Sequence, residues 1–170
     1  MVEVDTLGHE ALSAAKEEIV AAFGKEVLTV DGTIDRKRLG SIVFADSHKL
    51  AVLESITHPR MVAACVRMLD QWEKEGCQAV ILNAALLHRM KLDVLCDYIC
   101  FIEAPLCTRY KRAVARDHAT LKGFTQKLRA QRDIRRKAII GTDAVFIMKN
   151  SGDMSLIHRQ VEGFCVTIGL

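Results

Sequence analysis

Three short apolar runs, separated by longer amphipathic segments, constrain the fold of this sequence more than any other feature. The runs are 79–82 with Asn83 at its end, Tyr98–Ile102 and Ala144–Met148. Each is too short for a helix and continuously apolar, as is typical of strands buried on both faces of a parallel sheet. The sequence therefore predicts an α/β fold in which helices cover a parallel sheet.

Apolar periodicity and capping residues predict the helices between these strands. The first is predicted to begin at Asp5 or Thr6 as its cap and to end at Gly24. A turn at Val30–Thr33 precedes a helix capped by Asp35. The remaining helices are predicted at 57–75 with Pro59 in the first turn, from Pro105 onward, at 124–139 and at 155–161.

Length and composition bound the class of protein. The chain has 170 residues, of which 50% are hydrophobic, and it contains no linker-like tract, so we expect one domain over 1–170. The first residues lack a basic region ahead of an apolar run, and no apolar stretch is long enough for a membrane span, which predicts a soluble cytoplasmic protein without membrane contact. The six cysteines form no paired C-x-x-C pattern, so no metal site built by the protein is expected.

A strongly basic segment follows the second of the apolar runs. Between Arg109 and Lys137 there are eleven Lys and Arg residues against two Asp and Glu residues, which predicts an anionic partner. Arg112 and Arg116 are four residues apart on one helix, so both guanidinium groups can grip phosphate oxygens. A solvated basic face is the alternative interpretation.

Six ordered blocks of the sequence resemble the dephospho-coenzyme A kinase family. The blocks span nearly the whole chain and include a strand that ends near Asp5 and the Leu53-x-x-x-x-His58-Pro59 element. They are Val2–Leu12, 31–44, 53–59, 83–87, 105–117 and 150–152. The sequence departs from the family pattern at Ala85, where proline is usual, and at Arg89, where glutamate is common.

The resemblance implies a three-layer α/β/α P-loop kinase-like domain, with an acceptor-binding helical region at about 31–75 and a basic lid at about 112–139. It implies transfer of the γ-phosphoryl group of ATP, with Mg²⁺, to the ribose 3′-hydroxyl of dephospho-coenzyme A. Such a reaction needs a base at the hydroxyl, cations around the phosphoryl group and the exclusion of water.

The resemblance also assigns roles to individual residues. Asp5, at the carboxyl end of a strand, is expected to be the base, and Arg116 a second catalytic residue. Acceptor contacts are expected from His9, His58, Asn83 and Arg112. ATP or lid contacts are expected from Arg132, Arg135, Arg136 and Asn150. Alternatively, Asp5 is only a helix cap, His9 faces solvent, and His58 is a capping or packing residue of a first helical turn.

The family's phosphate loop, Gly-x-x-x-x-Gly-Lys-Ser/Thr, does not occur in the 170 residues. The single Gly-Lys pair, Gly24-Lys25, is followed by Glu26 and does not fit it. We therefore expect the first strand and the phosphate loop to lie upstream of Met1 in a longer protein, and the 170 residues alone to be inactive. A chain that has lost catalysis is the alternative.

Two other functions remain open. A related nucleotide or nucleoside kinase would share the strand and lid pattern but act on another acceptor. A non-catalytic module would use the basic segment to bind anions or nucleic acid; nucleic acid is disfavoured because few aromatic residues interleave the cations. The oligomeric state is open.

Overall fold

The computed structural model describes residues 1–134 and 144–170, which form two compact units, Met1–Met90 and Lys91–Leu170. The elements of the first unit are β1 (Val2–Glu3), α1 (Val4–Ala14), α2 (Lys16–Phe23), a 3-10 turn (Lys25–Val27), α3 (Arg36–Val43), α4 (Ser47–Lys74) and β2 (Leu82–Asn83). Those of the second are a 3-10 turn (Leu92–Leu95), β3 (Ile99–Glu103), α5 (Leu106–Asp117), α6 (Leu121–Ala130), β4 (Val145–Lys149) and α7 (Met154–Ile168).

The start of α1 differs from the prediction. The helix begins at Val4, with Glu3 in the N-cap position, and Asp5 and Thr6 lie in its first turn. Thr6 does not cap the helix, because its hydroxyl donates to the carbonyl of Glu3. Val4 is fully buried, and its packing favours a helix that begins at this residue. The helix therefore starts before Asp5 and Thr6, the polar residues that the sequence favoured as caps.

The predicted single helix from Asp5 to Gly24 is two helices, with a break at Ala15. Ala15 is buried, and together with Ile19 it joins a core cluster with Val27, Leu39 and Val43. The turn at Val30–Thr33 is confirmed: Gly32 has a φ of +72°, and the Thr29 N–H donates to the Thr33 carbonyl at 2.8 Å. The cap at Asp35 is confirmed as well, because its carboxylate accepts from the Arg38 N–H at 3.0 Å.

Helix α4 is longer than predicted, with 28 residues, and Asp46 caps it by accepting from His48 N–H and Lys49 N–H. Pro59 therefore lies inside the helix, and its predicted position in a first turn is wrong. The additional turns form because their apolar side chains pack on the core cluster; these are Leu50, Leu53 and Ile56. Proline provides no N–H for the Ser55 carbonyl, but Ser55 is exposed, so water can satisfy that group.

The strands pair in parallel, as predicted. In the first unit Val2 pairs with Leu82 and Glu3 with Asn83. In the second unit five residues of β3 pair with five of β4, from Ile99–Val145 to Glu103–Lys149. Ile102 in β3 is 64% exposed, so the expectation that both faces of the strands are buried is wrong there. Ile81 is 63% exposed and precedes β2, which is shorter than the predicted run 79–82.

The helices of the second unit are amphipathic but shallowly packed. Thr120 caps α6 through its hydroxyl, which accepts from the Gly123 N–H at 3.1 Å, so this helix begins three residues before the predicted Phe124. It ends at Ala130; residues 135–139 of the predicted helix lie outside the described residues. Helix α7 is longer than the predicted 155–161.

One side chain of α7 satisfies the backbone at the end of β4. The Lys149 N–H donates to Gln160 Oε1 at 2.9 Å, and Gln160 Nε2 donates to the Lys149 carbonyl at 3.1 Å. An amide side chain thus makes the two hydrogen bonds that a neighbouring strand would make. It fixes the backbone immediately before Asn150.

Candidate active site

Asp5 lies two residues after β1, in the first turn of α1, and is exposed. The helix has no side-chain cap hydrogen bond, so Asp5 is not its cap. Within the part of the chain that the structure describes, the Asp5 carboxylate has neither a hydrogen bond nor an ion pair. Its oxygens are therefore available to a ligand.

The carboxyl ends of β1 and β2 are joined by their side chains. Asn83 Nδ2 donates to Glu3 Oε2 at 2.9 Å, and the same two residues are paired in the strand register. The hydrogen bond orients the Asn83 amide next to the segment that carries Asp5. Glu3 was not among the residues that the sequence predicted, although its position at the end of a strand directly before a helix was a signal that could have found it.

His9 is placed as predicted, four residues after Asp5 in α1, and is exposed. Residues at this spacing project from the same face of a helix. Its side chain has no hydrogen bond in the described residues, so both ring nitrogens are available. Asp5 and His9 thus lie in the helix that follows β1, and Asn83 is the last residue of β2, the strand that pairs with β1.

His58 lies in the middle of α4 and not in a first turn, so its alternative role as a first-turn cap is wrong. The ring is half-buried. Burial lowers the pKa of His58, the Glu54 carboxylate raises it, and Arg89 lowers it. Glu54 Oε1 and Arg89 Nη1 form an ion pair at 2.7 Å.

Arg112 is held by the turn that follows β4. Its Nη2 donates to Asn150 Oδ1 at 2.8 Å, and the Asn150 N–H donates to the Glu103 carbonyl at 2.7 Å. A Cβ at Gly152 would lie 3.7 Å from Arg112 Nη2. The sequence assigned Arg112 to the acceptor and Asn150 to ATP, whereas the structure places them in direct contact.

Arg116 is exposed and makes a bidentate ion pair with its neighbour Asp117. Its Nε donates to Asp117 Oδ1 at 2.9 Å and its Nη2 donates to Asp117 Oδ2 at 2.8 Å. The hydrogen bond from Arg116 lowers the pKa of Asp117, and the same bond raises the pKa of Arg116. A phosphate that binds Arg116 in this geometry would replace the Asp117 carboxylate.

The remaining predicted lid arginines are only partly described. Arg132 lies in the turn after α6 and is exposed. Arg135 and Arg136 lie outside the described residues. Over residues 1–134 and 144–170, no three His, Cys, Asp or Glu residues come together in a way that could hold a metal ion. No described helix is long and apolar enough to cross a membrane.

Comparisons with known proteins define the family. The family model for dephospho-CoA kinase matches residues 1–155. A dephospho-CoA kinase of Geobacter sulfurreducens is 33% identical over 165 residues, which cover 95% of this chain and 82% of the relative. One of Carboxydothermus hydrogenoformans is 30% identical over 164 residues, covering 95% of this chain and 78% of the relative.

Comparison with solved structures confirms the α/β fold. A Thermus thermophilus protein of known crystal structure superposes with a TM-score of 0.71 at 25% identity, covering 98% of this chain and 83% of its own. The dephospho-CoA kinase of Campylobacter jejuni superposes with a TM-score of 0.64 at 25% identity, covering 99% and 85%. The resemblance seen in the sequence is therefore correct, and the chain belongs to the dephospho-CoA kinase family, the P-loop kinases of coenzyme A biosynthesis.

Proposed function

We propose that the chain transfers the γ-phosphoryl group of ATP to the ribose 3′-hydroxyl of dephospho-coenzyme A in the cytoplasm. The observation that carries this proposal is the Asp5 carboxylate, which has no partner in the described residues and lies just past the carboxyl end of β1. Ligands of parallel α/β sheets bind at this end of the strands. The membership of the chain in the dephospho-CoA kinase family supplies the reaction and the substrates.

In the proposed reaction Asp5 accepts the proton of the 3′-hydroxyl as its oxygen attacks the γ-phosphorus. The bond between the γ-phosphorus and the β–γ bridging oxygen breaks, and ADP leaves with that oxygen. His9, one turn beyond Asp5, and Asn83, oriented by Glu3, hold the acceptor nucleotide in line with the phosphoryl group. Such positioning contributes much of the rate in phosphoryl transfer.

The arginines of α5 stabilise the negative charge on the phosphoryl oxygens in this proposal. Arg112 is oriented by Asn150. The guanidinium group of Arg116 already donates to both carboxylate oxygens of Asp117. Arg132, Arg135 and Arg136 are proposed to contact ATP as parts of a lid. Fixed cations at the developing charge are the main contribution of a protein to this chemistry.

ATP enters this reaction as its magnesium complex, which is a substrate. Mg²⁺ in kinases keeps several waters and is bound largely by the phosphates, with one or two carboxylates or hydroxyls of the protein. The described residues contain no cluster of metal ligands, so none of them is assigned to the ion. The ion neutralises phosphate charge, and the residues discussed above position and deprotonate the acceptor.

The test is an assay of ADP release with dephospho-coenzyme A as acceptor, comparing Asp5→Asn with Glu10→Gln. Glu10 is an exposed acid on the same helix and serves as the matched control. We expect Asp5→Asn to lower kcat by about 10²- to 10⁴-fold, because a general base contributes this much, and to leave KM for the acceptor nearly unchanged. Glu10→Gln should behave like the unmodified protein.

The assay uses both the 170-residue chain and a version extended by the in-frame codons upstream of Met1. Turnover that survives Asp5→Asn in an active version would reject Asp5 as the base. Nucleosides and nucleoside monophosphates compete with dephospho-coenzyme A in the same assay. If one of them is phosphorylated preferentially, the chain is a nucleotide or nucleoside kinase with another acceptor.

A further inference from the structure

The hydrogen bond between Glu3 and Asn83 joins the last residues of two neighbouring strands. Asn83 Nδ2 donates to Glu3 Oε2 at 2.9 Å, and the two residues are partners in the parallel register. Side chains of successive strand residues project from opposite faces, and Val2, one residue before Glu3, is buried. The register therefore sets the exposed side chains of Glu3 and Asn83 side by side, away from the core.

The backbone of Glu3 is fixed by the elements on both sides of it. β1 ends at this residue and α1 begins at the next one, so Glu3 occupies the N-cap position with extended backbone angles, φ −85° and ψ 92°. The hydroxyl of Thr6 donates to the Glu3 carbonyl. The Glu3 carboxylate makes no cap hydrogen bond to α1 and binds Asn83 instead.

The carboxylate of Glu3 determines which end of the Asn83 amide faces it. At neutral pH a carboxylate only accepts hydrogen bonds, whereas the asparagine side chain has a donating NH₂ group and an accepting oxygen. The NH₂ group must therefore lie toward Glu3, and Oδ1 points away from it. Within the described residues Oδ1 has no partner. Asn83 thus presents a hydrogen-bond acceptor to a ligand at the end of β2.

Asp5, the proposed base, lies two residues beyond Glu3. The two hydroxyls of a ribose are on adjacent carbons, so a ribose with its 3′-hydroxyl at Asp5 carries the 2′-hydroxyl immediately beside it. The end of the neighbouring strand holds Asn83, since paired strands lie about 4.8 Å apart. The 2′-hydroxyl is a donor that matches the free oxygen of the amide.

We propose that Glu3 is a positioning residue that turns Oδ1 of Asn83 toward the acceptor, and that this oxygen accepts the hydrogen bond of the ribose 2′-hydroxyl. The pair thereby selects a ribose over a 2′-deoxyribose. The identity of the hydroxyl rests on the proposed function, whereas the orientation of the amide does not.

An exchange of the two functional groups tests the orientation. Glu3→Gln combined with Asn83→Asp keeps the net charge and reverses the hydrogen bond: the introduced amide donates to the introduced carboxylate, whose second oxygen stays free to accept. Asn83→Asp alone sets two carboxylates side by side, so we expect it to bind dephospho-coenzyme A about tenfold more weakly in calorimetry. The double variant should bind within about threefold of the unmodified protein. A double variant that binds as weakly as Asn83→Asp would show that Asn83 donates to the acceptor, which overturns the proposal.

The 2′-deoxy analogue of dephospho-coenzyme A tests the contact. Asn83→Ala and removal of the 2′-hydroxyl delete the two partners of one hydrogen bond. Each alone should weaken binding by about tenfold, and both together should weaken it little further. Multiplied losses would refute the contact between Asn83 and this hydroxyl.

The same two ligands separate positioning by Glu3 from a general structural role. Glu3→Gln lets the Asn83 amide turn either way, so it should weaken binding of dephospho-coenzyme A by about threefold and leave binding of the 2′-deoxy analogue unchanged. Equal losses for both ligands would contradict the positioning role. Glu17→Gln, at an exposed position of α2, is the matched control and should bind both ligands as the unmodified protein does.

NMR of the Asn83 side-chain amide judges the orientation without substrate. Asn83→Ala identifies the resonances by their disappearance. The amide proton bound by Glu3 should move upfield in Glu3→Ala, and an unchanged resonance would rule out the role of Glu3. Failure of the unmodified protein to bind dephospho-coenzyme A would count against both the contact and the proposed function, whereas multiplied losses with a binding protein would count against the contact alone.

Discussion

Asp153 is the N-cap residue of α7. Its Oδ1 accepts from the Ser155 hydroxyl at 2.7 Å and from the N–H groups of Ser155 and Leu156. The hydrogen bond from the Ser155 side chain, followed by those from the backbone, lowers the pKa of Asp153 below its ordinary value of 3.8. The charged carboxylate is therefore favoured in the folded protein.

This pKa shift makes the stability of α7 depend on pH. A group whose pKa is lower in the folded state stabilises the fold above its unfolded pKa, here 3.8, and that contribution is lost as the pH falls through the lower folded value. Asp153→Asn keeps a capping oxygen without the charge. We expect a lower Tm for the variant at pH 6 and a difference that shrinks below about pH 3.8, measured by thermal unfolding. A constant Tm difference across this range would contradict the cap's charge dependence.

Residues that act on their neighbours in the sequence could be predicted, whereas contacts between residues far apart in the sequence could not. Asp35 was recognised as a cap because the cap and its helix are adjacent. The pairs Glu3–Asn83, Glu54–Arg89 and Arg112–Asn150 are separated by 80, 35 and 38 positions, and no local pattern connects them. The identity of the site residues could thus be proposed from motifs, but which of them touch each other depends on tertiary packing.

At the scale of elements, Gln160 links α7 to the end of β4. Gln160→Ala removes both hydrogen bonds to Lys149, each with a net value of about 1 kcal/mol, so we expect the free energy of unfolding to fall by about 1–2 kcal/mol. Gln160→Glu keeps the acceptor oxygen but loses the donor. Its free energy of unfolding should lie between those of the unmodified protein and Gln160→Ala. Glu162→Ala, at an exposed position of the same helix, is the matched control.

Denaturant unfolding measures these differences, and hydrogen exchange at the Lys149 amide localises them. Equal stability of Gln160→Ala and Glu162→Ala would show that the Gln160 amide adds nothing to the fold.

The type and order of most elements followed from apolar periodicity, but their ends did not, and the predicted first helix is two helices. The sequence predicted that α4 began near Thr57, because Pro59 favours a first turn. The helix extends further toward the N-terminus because Leu50, Leu53 and Ile56 gain burial against the core cluster. Burial of Val4 moves the start of α1 in the same way. In both cases tertiary packing overrides the local preference on which the prediction relied.

At the scale of the molecule, the two units differ in how much apolar surface they bury. Among the described residues, twelve of the fourteen buried hydrophobic side chains belong to Met1–Met90. Helices α5, α6 and α7 contain no buried residue. Local stability follows the density of buried apolar contacts, so the second unit should open at a lower free energy.

Native-state hydrogen exchange measures this difference directly. We expect amides of α1 and α4 to exchange more slowly than those of α5 to α7, with at least a tenfold difference in protection, since about 1.4 kcal/mol corresponds to a factor of ten. Uniform protection over both units would mean that the whole chain unfolds as one cooperative body.

The turn after β4 limits how this site can change by mutation. Gly152 has a φ of +114°, a backbone conformation that residues with a side chain rarely adopt, whereas the space itself is open, since a Cβ would lie at an ordinary contact distance of 3.7 Å from Arg112 Nη2. Every single-nucleotide change of a glycine codon that yields another amino acid adds a Cβ. A substitution at position 152 therefore strains the turn that also carries Asn150, the hydrogen-bond partner of Arg112.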